Sequence, residues 1–337
     1  MVKTVARLTL PFALLENGSF DVSLDKRIAK ITVQRENTVS RQGQMTGMEF
    51  MVSKGGTLTM KNDFYGLVNI TRLRVELPYL IYPSKIQDLG NGRLEDLSHD
   101  HHINVQRDCL LYLNRLIEVI RWQTRRYWIH NLSGSDIYLN SFDLFDDQGN
   151  NIGGQTHGQP IHTLFNLPNF ALYQSDRKKE IDAVLETEER IPVHDMLYLD
   201  ALQDFSQGRF NKAVMLINTA LESATTEFLL QTLMTQEESK ENAKKKIDKI
   251  LKFGKKKNGK SGFHKILTED FKDIAGRSLE DEQELWDGFN DARLKRKTTL
   301  HPYVGQLYEG VAKKAIIDVL KVMNWVLQQG RYTITTD

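Results

Sequence analysis

Two side chains near the C-terminus have the types that phosphate chemistry needs, Arg296 and His301 in the segment Arg296-Lys297-Thr298-Thr299-Leu300-His301-Pro302. A guanidinium keeps its charge and can hold two phosphate oxygens at once. An imidazole titrates near roughly pH 6.5, so it can take or give a proton at neutral pH. Together they could stabilise charge on a phosphodiester and move a proton without a metal, which is what cutting RNA requires. On an unbroken helix, positions five apart differ by roughly 140° and would not meet at one ligand. Pro302 disfavours helical geometry at His301, which predicts that the helix ends within the motif and lets the imidazole turn back toward the guanidinium.

The spacing alone is a weak signal. Arg125 and His130 share it, and Arg93 and His99 miss it by one. Context separates them, because only Arg296 and His301 lie between two long amphipathic patterns. Residues 282–299 carry Leu285, Trp286, Phe289 and Ala292, and 308–329 carry Val311, Ala315, Val319, Val322 and Val326 at helical spacing. Two further helices precede them. One spans 187–206 and stops before Gly208, and the other spans 210–233 with Ala213, Ile217, Ala220, Ala224 and Phe228 on one face. Four such helices bury one another's stripes most simply as a bundle.

At this point the chain resembles the HEPN superfamily, helical bundles with an Arg, a polar position and a His four intervening positions after the Arg. The resemblance covers about residues 185–330, includes Asn218-Thr219-Ala220-Leu221-Glu222 on the second helix, and looks closest to the ApeA-like branch. One position departs: the residue after the Arg, often Asn, Asp or His in active members, is Lys297. The resemblance implies a metal-independent endoribonuclease in which the RNA 2′-OH attacks the adjacent phosphate, leaving a cyclic phosphate and a 5′-OH. His301 and Arg296 would be catalytic, with Lys297 adding a phosphate contact or positioning Arg296, and Glu222 orienting Arg296. The reaction asks for a base and an acid, and the motif supplies one His per chain, so a homodimer with a composite site is expected. In the resembled family such enzymes often serve as toxins or in abortive antiviral defence, which implies a phage-derived trigger or an inhibitory partner.

Other readings stay open on the residues themselves. Arg296 and His301 can simply terminate a helix, the Arg pairing with a carboxylate such as Glu222 and the His capping carbonyls. A bundle of this kind can also bind nucleotide or RNA, or dimerise a regulatory complex, without catalysis. A third reading places a metal at His99-Asp100-His101-His102, although adjacent residues in an extended segment rarely converge on one ion and would need His130, His157 or His162. No cofactor or metal is called for by the leading reading.

Residues 241–262 hold nine lysines and read as a mobile basic insertion, either a solvated loop or an RNA guide in which Lys255, Lys256 and Lys257 contact phosphate. Arg121 to Trp128 interleaves cations with aromatics, a mixture suited to single-stranded nucleic acid or, more often, to a helix end packed on a sheet. The glycine-rich 149–158 lacks the Lys-Ser/Thr of a phosphate loop and reads as a connection.

The rest of the chain supplies the frame. At 337 residues two domains are expected, a strand-rich α+β recognition domain over 1–175 and an all-α HEPN-like domain over 176–337. Short β-branched runs at 8–12, 28–33, 48–52, 67–77 and 136–145 predict strands, and Leu110, Leu113, Ile117 and Ile120 predict a helix over 106–122. Lys and Arg (45) nearly balance Asp and Glu (44), so nucleic-acid contact must be local rather than driven by a global field. One cysteine, Cys109, excludes an intrachain disulfide framework and suits a reducing compartment. No apolar run approaches the roughly 20 residues of a membrane span, so no membrane partner and a cytoplasmic location are expected.

Overall fold

The computed structural model describes residues 3–10, 18–40, 48–51, 57–60, 67–78, 87–88, 94–95, 99–127, 129, 131–134, 137–156, 177–188, 190–236, 239–253, 262–299, 307–328, 330 and 332. The chain divides into two compact units, 1–190 and 191–337.

The first unit is built on strands β1 (Lys3–Leu10), β2 (Gly18–Leu24), β3 (Arg27–Ser40), β4 (Met48–Met51), β5 (Thr57–Met60), β6 (Leu67–Leu77), β7 (Gln87–Asp88) and β8 (Leu94–Glu95), then helix α1 (His99–Thr124), β9 (Tyr138–Phe145), β10 (Asn151–Thr156) and helix α2 (Lys178–Glu186). Six of the strands form an antiparallel sheet in the order β10-β9-β1-β6-β3-β2. Alternation along the strands sends Ala6, Leu8, Leu10, Phe20, Val22, Ile31, Val33, Leu73, Val75 and Phe142 inward. Against them α1 buries Val105, Cys109, Leu113, Leu116, Ile117 and Ile120. Each such side chain contributes about 1.5–3 kcal/mol on burial, which fixes helix on sheet. Arg125, left-handed at φ 57°, follows the end of α1, and Arg177 donates to the carbonyl of Gln123 at 2.6 Å, closing the helix terminus.

Three expectations change here. The glycine-rich stretch after Asn150 is not a bare connection: Asn151–Thr156 forms the edge strand β10, paired with β9. Its glycines are there because backbones crowd. A Cβ on Gly154 would lie 2.5 Å from the Phe142 carbonyl oxygen, and the register slips beside Gly153, whose φ is 155°. The division between units falls after Arg190 rather than near 175, since α2 packs its Ile181, Val184 and Leu185 with the sheet unit. The His99-Asp100-His101-His102 segment, expected to be extended, opens α1.

The second unit contains α3 (Val193–Ser206), α4 (Phe210–Gln236), α5 (Lys240–Phe253), α6 (Gly262–Lys265), a π-helical turn (Ile266–Asp270), α7 (Phe271–Ala275), a 3-10 turn (Leu279–Asp281), α8 (Gln283–Thr299) and α9 (Glu309–Leu327). Among the described residues it is all helix and turn, so the chain is α+β. The long helix α4 packs against α3, α8 and α9. Ala213, Ala220 and Ala224 are fully buried, as small residues at a close helix contact should be. Along α9 the buried stripe runs through Ala312, Ala315, Ile316, Val319, Val322, Met323 and Val326, while Val311 is exposed.

The expected mobile insertion is corrected as well. Residues 240–253 form α5, because Ala243 and Ile247 recur at helical spacing and bury against α4 while Lys244, Lys245, Lys246 and Lys249, good helix formers, stay in water. Composition favoured a loop; an apolar stripe of two buried residues was enough to override it. Lys255, Lys256 and Lys257 lie outside the described residues.

Candidate functional site

The site residues come from two helices of the second unit. Arg296 and Lys297 stand in the last turn of α8, and Glu222 stands midway along α4. The helix runs as far as Thr299, within the motif. Its final carbonyls are met by side chains: Thr298 Oγ1 donates to Lys295 O and Thr299 Oγ1 to Arg296 O, both at 2.7 Å. The two threonines that look neutral in the sequence thus finish the helix that carries the arginine. His301 lies outside the described residues, and so do His130, His157 and His162.

Arg296 Nη1 donates to Glu222 Oε1, an ion pair with the arginine side chain 26% exposed and the glutamate 37%. The other N–H groups of the guanidinium make no hydrogen bond among the described residues. One oxygen of Glu222 therefore anchors one end of the Arg296 guanidinium and leaves donors for a further ligand. Lys297 is exposed and engaged in no ion pair among the described residues.

A third cation belongs to this group, and the sequence reading passed over it. Arg293 precedes Arg296 by three positions, so the two share a helix face. Burial lowers the pKa of Arg293, repulsion from Arg296 lowers it further, and Glu222 opposes both. Glu222 and Arg296 thus both act on Arg293. The only sequence signal for this was the i,i+3 spacing of two arginines at the end of an amphipathic pattern.

Other titratable groups are committed elsewhere. His194 Nδ1 lies 3.0 Å from Glu227 Oε2, and Tyr332 donates to the buried Asp195 at 2.7 Å. His264 Nε2 meets Asn290 Oδ1 at 2.7 Å, its ring packed beside Trp286 and Phe289. Arg277 lies 4.5 Å from the Trp325 ring and donates to the carbonyls of Trp325 and Val326 at 2.8 and 2.9 Å, closing the C-terminus of α9. In the first unit, Arg121 and Tyr127 are buried with the end of α1, the packing role of that cation and aromatic mixture; Trp128 lies outside the described residues. Among the described residues no group of three or more His, Cys, Asp or Glu is placed to hold a metal. No helix there is long and apolar enough to cross a membrane.

Comparison with protein-family models, with curated proteins and with solved structures finds no match to this chain. What the fold itself defines is an α+β protein with a sheet unit followed by a helical unit.

Proposed function

We propose that the chain is a metal-independent endoribonuclease of the HEPN type, its helical unit forming a HEPN-like bundle. Arg296 and His301 carry the reaction, and Glu222 positions the arginine. The observation that supports this reading is the ion pair: Glu222 orients Arg296 and leaves part of its guanidinium without a partner among the described residues. An RNA phosphate is a ligand that the remaining donors of Arg296 suit, and it gains negative charge as the 2′-OH attacks. His301 follows the last turn of α8 by two positions, within reach in sequence of the same phosphate.

In this mechanism an imidazole takes the 2′-OH proton, the oxygen closes on phosphorus, and the 5′-oxygen leaves with a proton from a second imidazole. The products are a 2′,3′-cyclic phosphate and a 5′-OH. The second imidazole is His301 of another copy, so the working form is a homodimer. Lys297, exposed at the end of α8, adds charge for the flanking backbone. The first unit would then recognise the substrate, a phage-derived trigger or an inhibitory partner.

The test is incubation of wild type, Arg296→Ala and His301→Ala with single-stranded and structured RNAs in excess EDTA, with analysis of the fragment ends. Cyclic phosphate ends from wild type alone are expected, and DNA should survive because it lacks the 2′-OH. Cleavage that requires a divalent ion, or that persists in His301→Ala, overturns the mechanism. Tight RNA binding without cleavage would instead favour a non-catalytic binding module.

A further inference from the structure

The hairpin joining β2 to β3 is built at a conformational cost. Asp25 and Lys26 both take positive φ, 50° and 64°, in a two-residue turn that glycine or asparagine would fill with less strain. Glu188, just past α2, holds it in place: its Oε1 accepts from Ser23 Oγ at 2.5 Å and from the Lys26 backbone N–H at 3.1 Å. Strain held by a dedicated contact points to something positioned by it.

Two cavities meet at this hairpin. One, of about 440 Å³, has Lys26 and Lys30 on its wall with Ile28, which is 60% exposed. The other, of about 460 Å³, lies against α1, with Leu24, Leu111 and Tyr112 as apolar surface and Asp25 and Asp108 as acceptors, Asp108 Oδ1 also lying 3.4 Å from Arg107 Nε and its Oδ2 left for a further donor. Arg27, Leu77 and Pro78 line both. Glu76, in the first cavity, is taken by Lys3 and Arg74. No ion pair engages Lys26, Arg27 or Lys30 among the described residues.

This is a split environment, cationic at one end and apolar with carboxylate acceptors at the other. A simple anion would leave the second cavity unused, and an acidic peptide would meet Asp25 and Asp108. A ligand that joins phosphate to a flat ring bearing amino groups satisfies both ends. We propose that the β2–β3 hairpin end of the sheet unit binds a nucleoside phosphate, with its phosphates at Lys26, Arg27 and Lys30 and its base beside Tyr112 and Asp108. The site does not depend on the nuclease reading of the helical unit.

The test uses the full chain carrying His301→Ala, so that RNA cleavage has no bearing on it. Equilibrium dialysis or calorimetry would be run with the four ribonucleoside triphosphates, and with adenosine and inorganic phosphate as half-ligands. A triphosphate is expected to bind more tightly than either half. Lys26→Ala with Lys30→Ala, both exposed and replaceable without disturbing the core, should weaken it about a hundredfold, about tenfold for each lost charge-assisted contact. Asp108→Ala should erase the preference for bases with an exocyclic amine over uracil. Absence of binding, equal affinity for phosphate alone, indifference to the double lysine variant, or binding of 5′-phosphorylated RNA but not of mononucleotides would each overturn the proposal.

Discussion

Arg296 at the end of α8 and Glu222 on α4 form an ion pair across 74 positions of sequence. It joins two helices by their polar edges beside a shared apolar contact, and it places a guanidinium whose remaining donors face no other described partner.

Removing the carboxylate should therefore do more than delete one surface pair. Glu222→Gln removes the carboxylate that offsets the repulsion between Arg293 and Arg296, and unfolding by urea should show a loss of about 1–3 kcal/mol, above the roughly 0–1 typical of an exposed pair. Adding Arg296→Met to Glu222→Gln should recover part of that loss, a coupling a double-mutant cycle reads directly. A loss in the double variant equal to the sum of the losses in Glu222→Gln and Arg296→Met would show that the pair is not coupled. If the proposed RNA cleavage is observed, Glu222→Gln should lower turnover more than it lowers substrate binding.

Arg277 gives a purely structural prediction. Its fork meets two terminal carbonyls of α9 and its plane lies near Trp325, Phe271 and Phe228. Arg277→Ala should cost about 2–4 kcal/mol in denaturant melts, through two charge-assisted hydrogen bonds and the ring contacts. Arg277→Lys should recover little, because a point charge reproduces neither the two-pronged geometry nor the stacking.

Gly154 is predicted to be irreplaceable by alanine. The added methyl would meet a carbonyl oxygen of β9 at 2.5 Å, where backbone rather than a flexible side chain must yield. Gly154→Ala should destabilise by about 1–3 kcal/mol and raise hydrogen exchange at the amides pairing β9 with β10. Gly134→Ala, with open space around the new Cβ, is the matched control.

Cys109 is fully buried on α1, and burial together with nearby Asp108 pushes its thiol far above the usual range. A disulfide reagent at pH 8 should label it only as fast as the sheet unit opens, and completely once denatured. Rapid labelling of the native protein would show that α1 does not cover the site.

Acid should weaken the sheet unit through Glu76. Burial raises its pKa, but the Lys3 hydrogen bond and the charges of Lys3, Arg74 and Lys30 outweigh this and hold it below the ordinary value. A depressed carboxylate stabilises the fold fully above the unfolded pKa of roughly 4.3, and that share is lost as pH falls through the lower folded value. Glu76→Gln should flatten the acid limb of a stability profile below about pH 4.3 and leave its slope at neutral pH unchanged.

The sequence by itself determined the elements. Short β-branched runs marked the first half of β3 and all of β6, alternation marked β9, helical spacing of Leu113, Ile117 and Ile120 marked α1, and four amphipathic patterns marked α3, α4, α8 and α9, since composition and a periodic apolar face are written in local order. It also singled out Arg296 and His301 as residue types for phosphate chemistry, with Lys297 and Glu222 as expected support. What only the tertiary structure decided is everything that depends on a distant neighbour. β10 is a strand because β9 accepts its backbone, and its glycines read locally as a loop. α5 is a helix because α4 covers Ala243 and Ile247, against a composition that favoured a mobile segment. The conjunction of Arg293 with Arg296 and Glu222, the grip of Glu188 on the Asp25–Lys26 turn and the closure of α9 by Arg277 each join residues far apart in the chain. Hydrogen bonds and charge act over a few ångströms of space, whereas spacing along the chain fixes proximity only within an element.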